Sequence, residues 1–592
     1  MPAGGNQRRT ARFALQDRLH CGLVLLAFLA GLGAGRSSGY PVVKPLDGTF
    51  LAPSSIGLNR TVAGWETEFQ AMEAVGCSLL IIQLVAWNGT ALYPTSLPWL
   101  QPDISDPIES VLTAADRQRV KVQMGSYWSI HWGDPLTDSV CLWSLADTVV
   151  AVQSELYDRY RAHGSFTGWY LAHELGNYRF EFPIRQLYAG FFGRQADWCH
   201  QNTGLPCSIA PYFDSASSVF MSAESTGLFW TSVLAQADID IVMLQDGIGR
   251  HCFRFDPALQ RYDHVEDYFR SVGAACEHQT RPREFWADVE LFSQDRNDPR
   301  LLWPGDIDTI AIQLGMAQRT TGKTIGYDFH RCMNPTSNRW PASVYWEYDA
   351  LIRSWTDLVI HCPYTCLRPC SPSFSDLGQL TDGIKSDQDT ALVGWSGTEP
   401  IEIDVPLPAA CSVAAIKCFF RNGPDSLTKL PDSVQFYSSP GDSITYLGIA
   451  RLNDGRPGLR KMLLNLHPAQ ELNGVRVRVF PSRSSQLTLM SEIEAVGKEP
   501  AIGISEPAAR SCVGPVVTIG PPGQDWLEVM FPNGAQARGP ITVYDAAGRK
   551  ALQFMAAPRA RTAKLSIANL RRGVYFLTIE PGVRISAKFT KF

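Results

Sequence analysis

The sequence predicts a (β/α)8 barrel followed by two β-rich domains, and three observations lead there. The chain has 592 residues, more than one hydrophobic core usually serves. From Gly48 to Trp355 short apolar runs alternate with longer amphipathic stretches, eight of each. Beyond residue 374 that rhythm gives way to short segments of alternating pattern, the mark of a β-sandwich.

The elements follow in order. Arg8, Arg9, Arg12 and Arg18 precede an apolar run from Cys21 to Ala34 and a small polar patch ending at Gly39, so residues 1–39 read as a secretory signal peptide. The run is short for a permanent span, and no later stretch reaches the roughly 18 to 20 apolar residues that a membrane helix needs. The expectation is an exported chain with no transmembrane helix after maturation. Of 14 cysteines, all but Cys21 follow the leader, which suits a compartment where disulfides persist. Cys362, Cys366 and Cys370 are spaced C-x3-C-x3-C among prolines. That spacing is wrong for a zinc knuckle and predicts a stapled linker over residues 358–374.

The apolar runs are Gly48–Ala52, Ser78–Trp87, Val120–Trp128, Thr167–Glu174, Cys207–Asp214, Ile239–Gly247, Glu284–Phe292 and Thr324–His330. Each is followed by a helical pattern: Gly64–Val75, Pro107–Gln118, Ser144–Ala162, Phe182–Gln201, Ser222–Ala235, Tyr262–Ala275, Asp306–Thr320 and Ala342–Trp355. Parallel strands need such crossovers, and eight βα units close into a barrel, expected over residues 40–357.

Barrel sites gather at the C-terminal ends of the strands. Those ends carry Gln83, Trp87, Tyr127, Trp128, His173, Glu174, Tyr212, Asp214, Gln245, Asp246, Asp288, Glu290 and Tyr327, with Asn177 just beyond the fourth. Acidic, amide and aromatic groups crowd one rim without a Lys/Arg cluster, a set suited to hydroxyl groups and sugar rings. The formal charge of −5, from 53 basic and 58 acidic residues, likewise speaks against nucleic acid. The 16 Trp, 19 Tyr and 28 Phe serve either the core or a cleft that stacks sugars.

Glu174 and Glu290 stand at the ends of strands four and seven. Strand alternation puts Glu290, Asp288 and Trp286 on one face, which makes Trp286 a further substrate-binding candidate, and Ala287 and Val289 on the other. Glycosidic cleavage needs one protonated and one ionised carboxyl on either side of the anomeric carbon, which this pair can supply. Asp246 offers a rival pairing, because Gly247 and Gly249 let its loop turn sharply beside a ligand; Asp288 reads as a group that tunes Glu290. Trp87, Trp128 and Tyr212 are the stacking candidates. His173 is a hydrogen-bonding candidate with no second spaced ligand to make it a metal site.

A glutamate acid/base ending strand four and a glutamate nucleophile ending strand seven resemble the clan A glycoside hydrolases. Gly48–Thr49–Phe50–Leu51, Gly168–Trp169–Tyr170–Leu171 with Glu174, and Leu244–Gln245–Asp246–Gly247–Ile248–Gly249 resemble, more closely, an uncharacterised glycoside-hydrolase-like barrel family of bacterial secreted proteins. The resemblance implies Glu174 as general acid/base and Glu290 as nucleophile, about 5 to 5.5 Å apart, with no cofactor. His173 departs from the pattern, standing where many clan A enzymes have Asn.

Over residues 375–499, Leu380–Thr381–Asp382–Gly383, Trp395, Pro431–Ser439, Val475–Val479 and Ser491–Glu492–Ile493 resemble the discoidin, or coagulation-factor C-type, domain. That implies a jelly-roll module which commonly binds glycans, sometimes with a structural calcium ion. Within residues 500–592, Ile541–Asp545, Gly548–Arg549, Leu565–Ile567 with Leu570, Gly573–Leu577 and Lys588–Phe589 resemble the C-terminal sorting domain of type IX secretion. That implies export machinery as a partner and a secreted or cell-surface location. The composite expectation is an exported retaining glycoside hydrolase with an accessory carbohydrate-binding module; the alternative is a non-catalytic surface glycan-binding protein on a barrel scaffold.

Overall fold

The computed structural model describes residues 42–499, less 57–60, 134–137, 180–181, 216, 257–260, 338, 425–426, 439–443 and 453–456, and the strands within 516–591. The signal peptide expected at residues 1–39 lies outside the described residues. The chain divides into two units at residue 500.

The expected barrel is present. Strands β1 (Gly48–Leu51), β2 (Leu79–Ile82), β3 (Lys121–Gly125), β4 (Phe166–Tyr170), β5 (Cys207–Ile209), β6 (Ile241–Gln245), β7 (Glu284–Glu290) and β8 (Lys323–Tyr327) form a closed barrel in sequence order. Every pairing around the ring is parallel. Helices α1 (Val62–Ala74), α2 (Pro107–Gln118), α3 (Ser139–Tyr160), α4 (Phe182–Thr203), α5 (Ala223–Leu234), α6 (Val265–Glu277), α7 (Ile307–Ala317) and α8 (Arg339–Ile352) alternate with them. The runs were expected to be longer strands than these. Their last residues leave the barrel to build the rim: Ala86–Trp87 pairs with Tyr127–Trp128 in a small separate sheet. Helix α3 starts earlier than its pattern suggests because Asp138 caps it, accepting from the Val140 N–H.

Two apolar layers hold the barrel. Inside it, Phe50, Ile81, Tyr170, Met243, Trp286 and Ile325 pack into a plug. Outside it, the other strand faces, Ala287 and Val289 among them, meet the apolar stripes of the helices. The period-two reading of β7 is therefore the observed one.

The following sandwich is built on two long strands. Strands β9 (Val393–Ser396), β10 (Ile401–Asn422), β11 (Ser433–Ser438), β12 (Thr445–Ala450), β13 (Gly458–Phe480) and β14 (Leu487–Lys498) form a sheet in the order β14-β10-β13-β11-β12, with β9 paired to β14. The sequence suggests separate strands at Ile401–Val405 and Ala414–Phe420. They are halves of β10, whose ladder to β13 slips between Pro406 and Cys411 and again between Val413 and Ala415. A proline has no N–H to donate, so the ladder is interrupted at Pro406.

The expected Cys/Pro linker is woven into this sheet: Thr356–Asp357 pairs with β14 and Thr365–Cys366 with β10. The staple is not formed. Cys362, Cys366 and Cys370 are free thiols, as are all the other described cysteines. Pairing to β10 holds the segment instead, with the Cys366 thiol donating to the Arg368 carbonyl. In the second unit, strands between Val516 and Lys591 form a three-stranded and a four-stranded antiparallel sheet.

Candidate active site

Four carboxyls meet at the C-terminal mouth of the barrel. Asp288 and Glu290 project inward from the end of β7, Asp246 follows β6, and Glu174 lies beyond β4, with β5 and β6 between β4 and β7 in the ring. Asp246, Asp288 and Glu290 are buried, while Glu174 is half-buried and so closest to solvent.

Each acid has its own surroundings. Glu174 is raised by burial but opposed by the side-chain amides of Gln245 and Gln83, which donate to it, and by the Arg250 guanidinium. Gln83 is aligned by the Tyr327 hydroxyl, which donates to its Oε1 at 3.1 Å, and Gln245 by its second N–H on the Ala210 carbonyl at 3.0 Å. Glu290 is pushed up to about 8, first by burial and then by the charge of Asp246 and, more weakly, Glu174. The Arg250 backbone N–H, 2.8 Å from Glu290 Oε2, and its guanidinium act the other way. Asp246 is raised to about 6 by burial. Asp288 is pushed well above the carboxylate range by burial and by Glu290, Asp246 and Glu174, and its Oδ1 is buried without a hydrogen-bond partner. Near pH 7 the cluster therefore shares protons rather than carrying four charges.

These contacts sort the sequence candidates. Asp246, the rival catalytic group, is fully engaged: its Oδ1 accepts from the N–H groups of Ile248 (3.1 Å) and Glu290 (3.4 Å), and its Oδ2 from Gln313 Nε2 (2.8 Å). Gln313 also donates to the Glu290 carbonyl at 3.0 Å, so Asp246 and Gln313 together clamp the strand end that carries Glu290. His173 is buried, and its Nε2 accepts from the Ser129 N–H at 3.2 Å. Burial depresses it to about 3, so it stays neutral and packs against Trp132 and Phe191.

Two of the expected substrate contacts lie elsewhere. Asn177 is buried, with its amide donating to the carbonyls of Asp214 and Met221 and its Oδ1 accepting from the Asp214 N–H, so it ties two rim loops together. Trp286 sits below the acids in the barrel plug, its indole N–H on Glu284 and its ring under the Lys323 ammonium. The reason is depth: two residues before Asp288 on the inward face is one layer further into the packed barrel. His330, on the eighth run, is buried against Glu68 at 3.0 Å rather than at the mouth.

The remaining candidates line the mouth. Trp87 and Trp128 are register partners in the rim sheet, half-buried, with Tyr127 beside them. Tyr212 is half-buried and its hydroxyl donates to that of Tyr178; Asp214 is two residues further along the same loop. Two residues escaped the sequence reading. Arg250 has an exposed side chain 5.5 Å over the Tyr212 ring, and Trp132 donates its indole N–H to the Glu174 carbonyl at 2.5 Å. Arg250 lies just past the glycine loop, whose turn brings its backbone N–H to Glu290. Trp132 is in a short 3-10 turn with no periodic signal.

Residues 46–339 match the family model of a domain of unknown function, DUF4434. The DUF4434 region thus spans every barrel strand and all four acids. No curated protein matches the chain. Among solved structures, a protein described as a putative alpha-L-fucosidase from Bacteroides thetaiotaomicron VPI-5482 aligns with a TM-score of 0.46 at 20% identity, over 54% of this chain and 97% of that one. SpGH29 aligns at 0.29 and 15% identity, over 77% and 100%. The family 32 carbohydrate-binding module of C. perfringens NanJ, in complex with galactose, aligns at 0.20 and 9% identity, over 24% and 98%.

Two clusters carry metal-ligating side chains. His200, Cys207 and Asp240 converge at the opposite, N-terminal end of the barrel, but Asp240 is already held by Arg281 at 2.8 Å and the Cys207 N–H at 2.8 Å. A cation there would have to displace an arginine. In the sandwich, Glu492 Oε1 is buried without a partner, its Oε2 accepts from the Gly383 N–H at 3.1 Å, and burial with the charges of Asp382, Asp357 and Glu494 pushes it up to about 10. Lys385 at 2.9 Å and Lys417 at 3.3 Å already pair with Glu494, so Asp382 and Glu492 are the carboxyls that a hard cation such as calcium would take.

Proposed function

We propose that this chain is an exported retaining glycoside hydrolase acting on an oligo- or polysaccharide, with Glu174 as general acid/base and Glu290 as nucleophile. The supporting observation is that these carboxyls enter one mouth from β4 and β7 and lie in one electrostatic cluster, where burial raises both and brings Glu290 to about 8. The proton rests on Glu290, and in the reactive form it has moved to Glu174. It passes to the glycosidic oxygen as the bond to the anomeric carbon breaks and a Glu290 oxygen bonds to that carbon. Water, deprotonated by Glu174, then displaces Glu290 and restores both groups. Arg250 favours the Glu290 anion as it forms, and the Gln83 and Gln245 amides steer Glu174. Trp87, Trp128 and Tyr212 offer apolar faces for sugar rings.

The sandwich serves as the glycan-binding accessory module, with calcium held by Asp382 and Glu492 as a structural ion. The leader and the tail domain direct export to the outer surface. Among the described residues no helix is long and apolar enough to cross a membrane.

A glycan panel digested by the wild type, Glu174→Gln and Glu290→Gln tests the reading. Either substitution should lower the rate about 100- to 10,000-fold. Azide added to the Glu290→Gly variant should yield the glycosyl azide of inverted configuration, and added to Glu174→Gly the retained one. Equal activity of all three proteins sinks the assignment, and inactivity of the wild type on every glycan favours a binding protein.

A further inference from the structure

A cavity of about 790 Å3 lies where the barrel rim meets the sandwich. Its barrel wall comprises Gly249 and His251 after β6, Phe292 and Trp303 from the hairpin that follows β7, the first turn of α7, and Ser343, Val344 and Glu347 of α8; its sandwich wall comprises Arg451 and the start of β13. We propose that this cavity is an outer sugar subsite, in which the sandwich supplies one wall of the substrate cleft and holds the part of a glycan chain that extends away from Glu174 and Glu290. The proposal rests on the hydrolase reading for the direction in which the chain runs.

Three observations carry it. The cavity adjoins the acid cluster: a Cβ placed on Gly249, which lines it, would stand 3.1 Å from Glu290 Oε2, so only a glycine backbone separates the two. Phe292 on the same wall packs against Tyr327, whose hydroxyl aligns Gln83. Second, the cavity is preformed, because the two domains are locked by buried ion pairs. Lys417 of β10 bonds Glu347 of α8 at 3.0 Å, Lys461 of β13 bonds Glu347 at 2.9 Å and Asp306 at 3.2 Å, and Lys385 bonds Asp308. With Lys417 and Glu347 only 2% and 3% exposed, the gap is not a hinge that closes. Third, the lining matches a hydroxyl-rich ring. Trp303 is half-buried, with its indole N–H on Asp295; His251 is exposed, with its Nε2 on the Gln294 carbonyl at 2.9 Å; and Arg451 is an exposed donor with no ion-pair partner among the described residues. The acidic groups at the cavity floor are neutralised by Lys461. The volume lies within the roughly 300–1,000 Å3 of ligand pockets, which have such mixed apolar and polar walls and favour domain interfaces.

The test measures affinity against chain length by calorimetry, in a Glu174→Gln background that does not turn over. The probes are gluco-, manno-, xylo- and galacto-oligosaccharides from monosaccharide to hexasaccharide. Affinity should rise with length in at least one series, and Trp303→Ala, on the barrel wall, and Arg451→Ala, on the sandwich wall, should each cost about tenfold for the long members while leaving the monosaccharide unchanged. Arg451 is exposed, so its variant folds even if Trp303→Ala does not. Length dependence that survives both substitutions, or its absence from every series, overturns the subsite. Hydrolysis is read separately: a chain-length effect in a protein whose wild type cleaves nothing would keep the subsite and refute the hydrolase.

Discussion

Glu290 and Glu174 show how burial and neighbours decide where a shared proton rests: on Glu290 in the resting protein, so that the reactive form with the proton on Glu174 is the minor one. Glu290 holds its proton up to about pH 8 because it is buried beside Asp246, whereas Glu174 has two amide donors and Arg250 to favour its anion. Activity that needs one proton on the pair must therefore fall as pH rises through about 8, a descending limb that a pH profile of kcat/KM reads directly. Asp246 works through Glu290. Asp246→Asn removes a neighbouring charge, so the descending limb should move to lower pH, while Asp246→Ala also frees Gln313 and should cost activity outright. A merely structural role for Asp246 would leave the limb in place. Stability has the same sign: a carboxyl raised in the folded state from 4.5 to about 8 makes the fold lose stability as pH climbs between those values, and Glu290→Gln should flatten that loss in thermal melts.

At the scale of elements, the loop after β6 decides the geometry of the mouth. Gly247 adopts a φ of +64°, and Gly249 runs so close to β7 that a Cβ would meet the Phe292 carbonyl at 2.4 Å and Glu290 Cβ at 2.9 Å. Gly249→Ala should destabilise the protein by about 1–3 kcal/mol and lower turnover by displacing Glu290, measured by denaturant melts and kinetics side by side. The glycine-rich pattern was legible as a sharp turn beside a ligand. That the turn delivers the Arg250 N–H to Glu290 was not, because the partner lies 40 residues away on another strand. The same gap explains Trp286 and Asn177. Period-two alternation places Trp286 on the inward face but says nothing of depth along the barrel, and an Asn beyond a strand end looks alike whether it meets a sugar or two backbone carbonyls.

Across the whole molecule, barrel and sandwich are joined by buried charges. Lys417→Ala removes the most deeply buried partner of Glu347 and Glu494, which retain Lys461 and Lys385, and should cost about 1–3 kcal/mol, whereas Lys417→Met paired with Glu347→Leu should lose less. Calcium should raise the melting temperature, the more so at higher pH as protons stop competing for Glu492, and Glu492→Gln should abolish the increment. The sequence by itself determined the eight βα units, the inward face of β7 and a β-rich region behind the barrel, because hydrophobic periodicity reports which side of each element leaves water. Only the tertiary structure decided which acids converge, which are clamped or orphaned, that the cysteine segment joins the sheet unstapled, and that a sandwich loop reaches the rim. Those outcomes depend on residues far apart in the chain meeting in a low-dielectric interior, and no local pattern encodes such meetings.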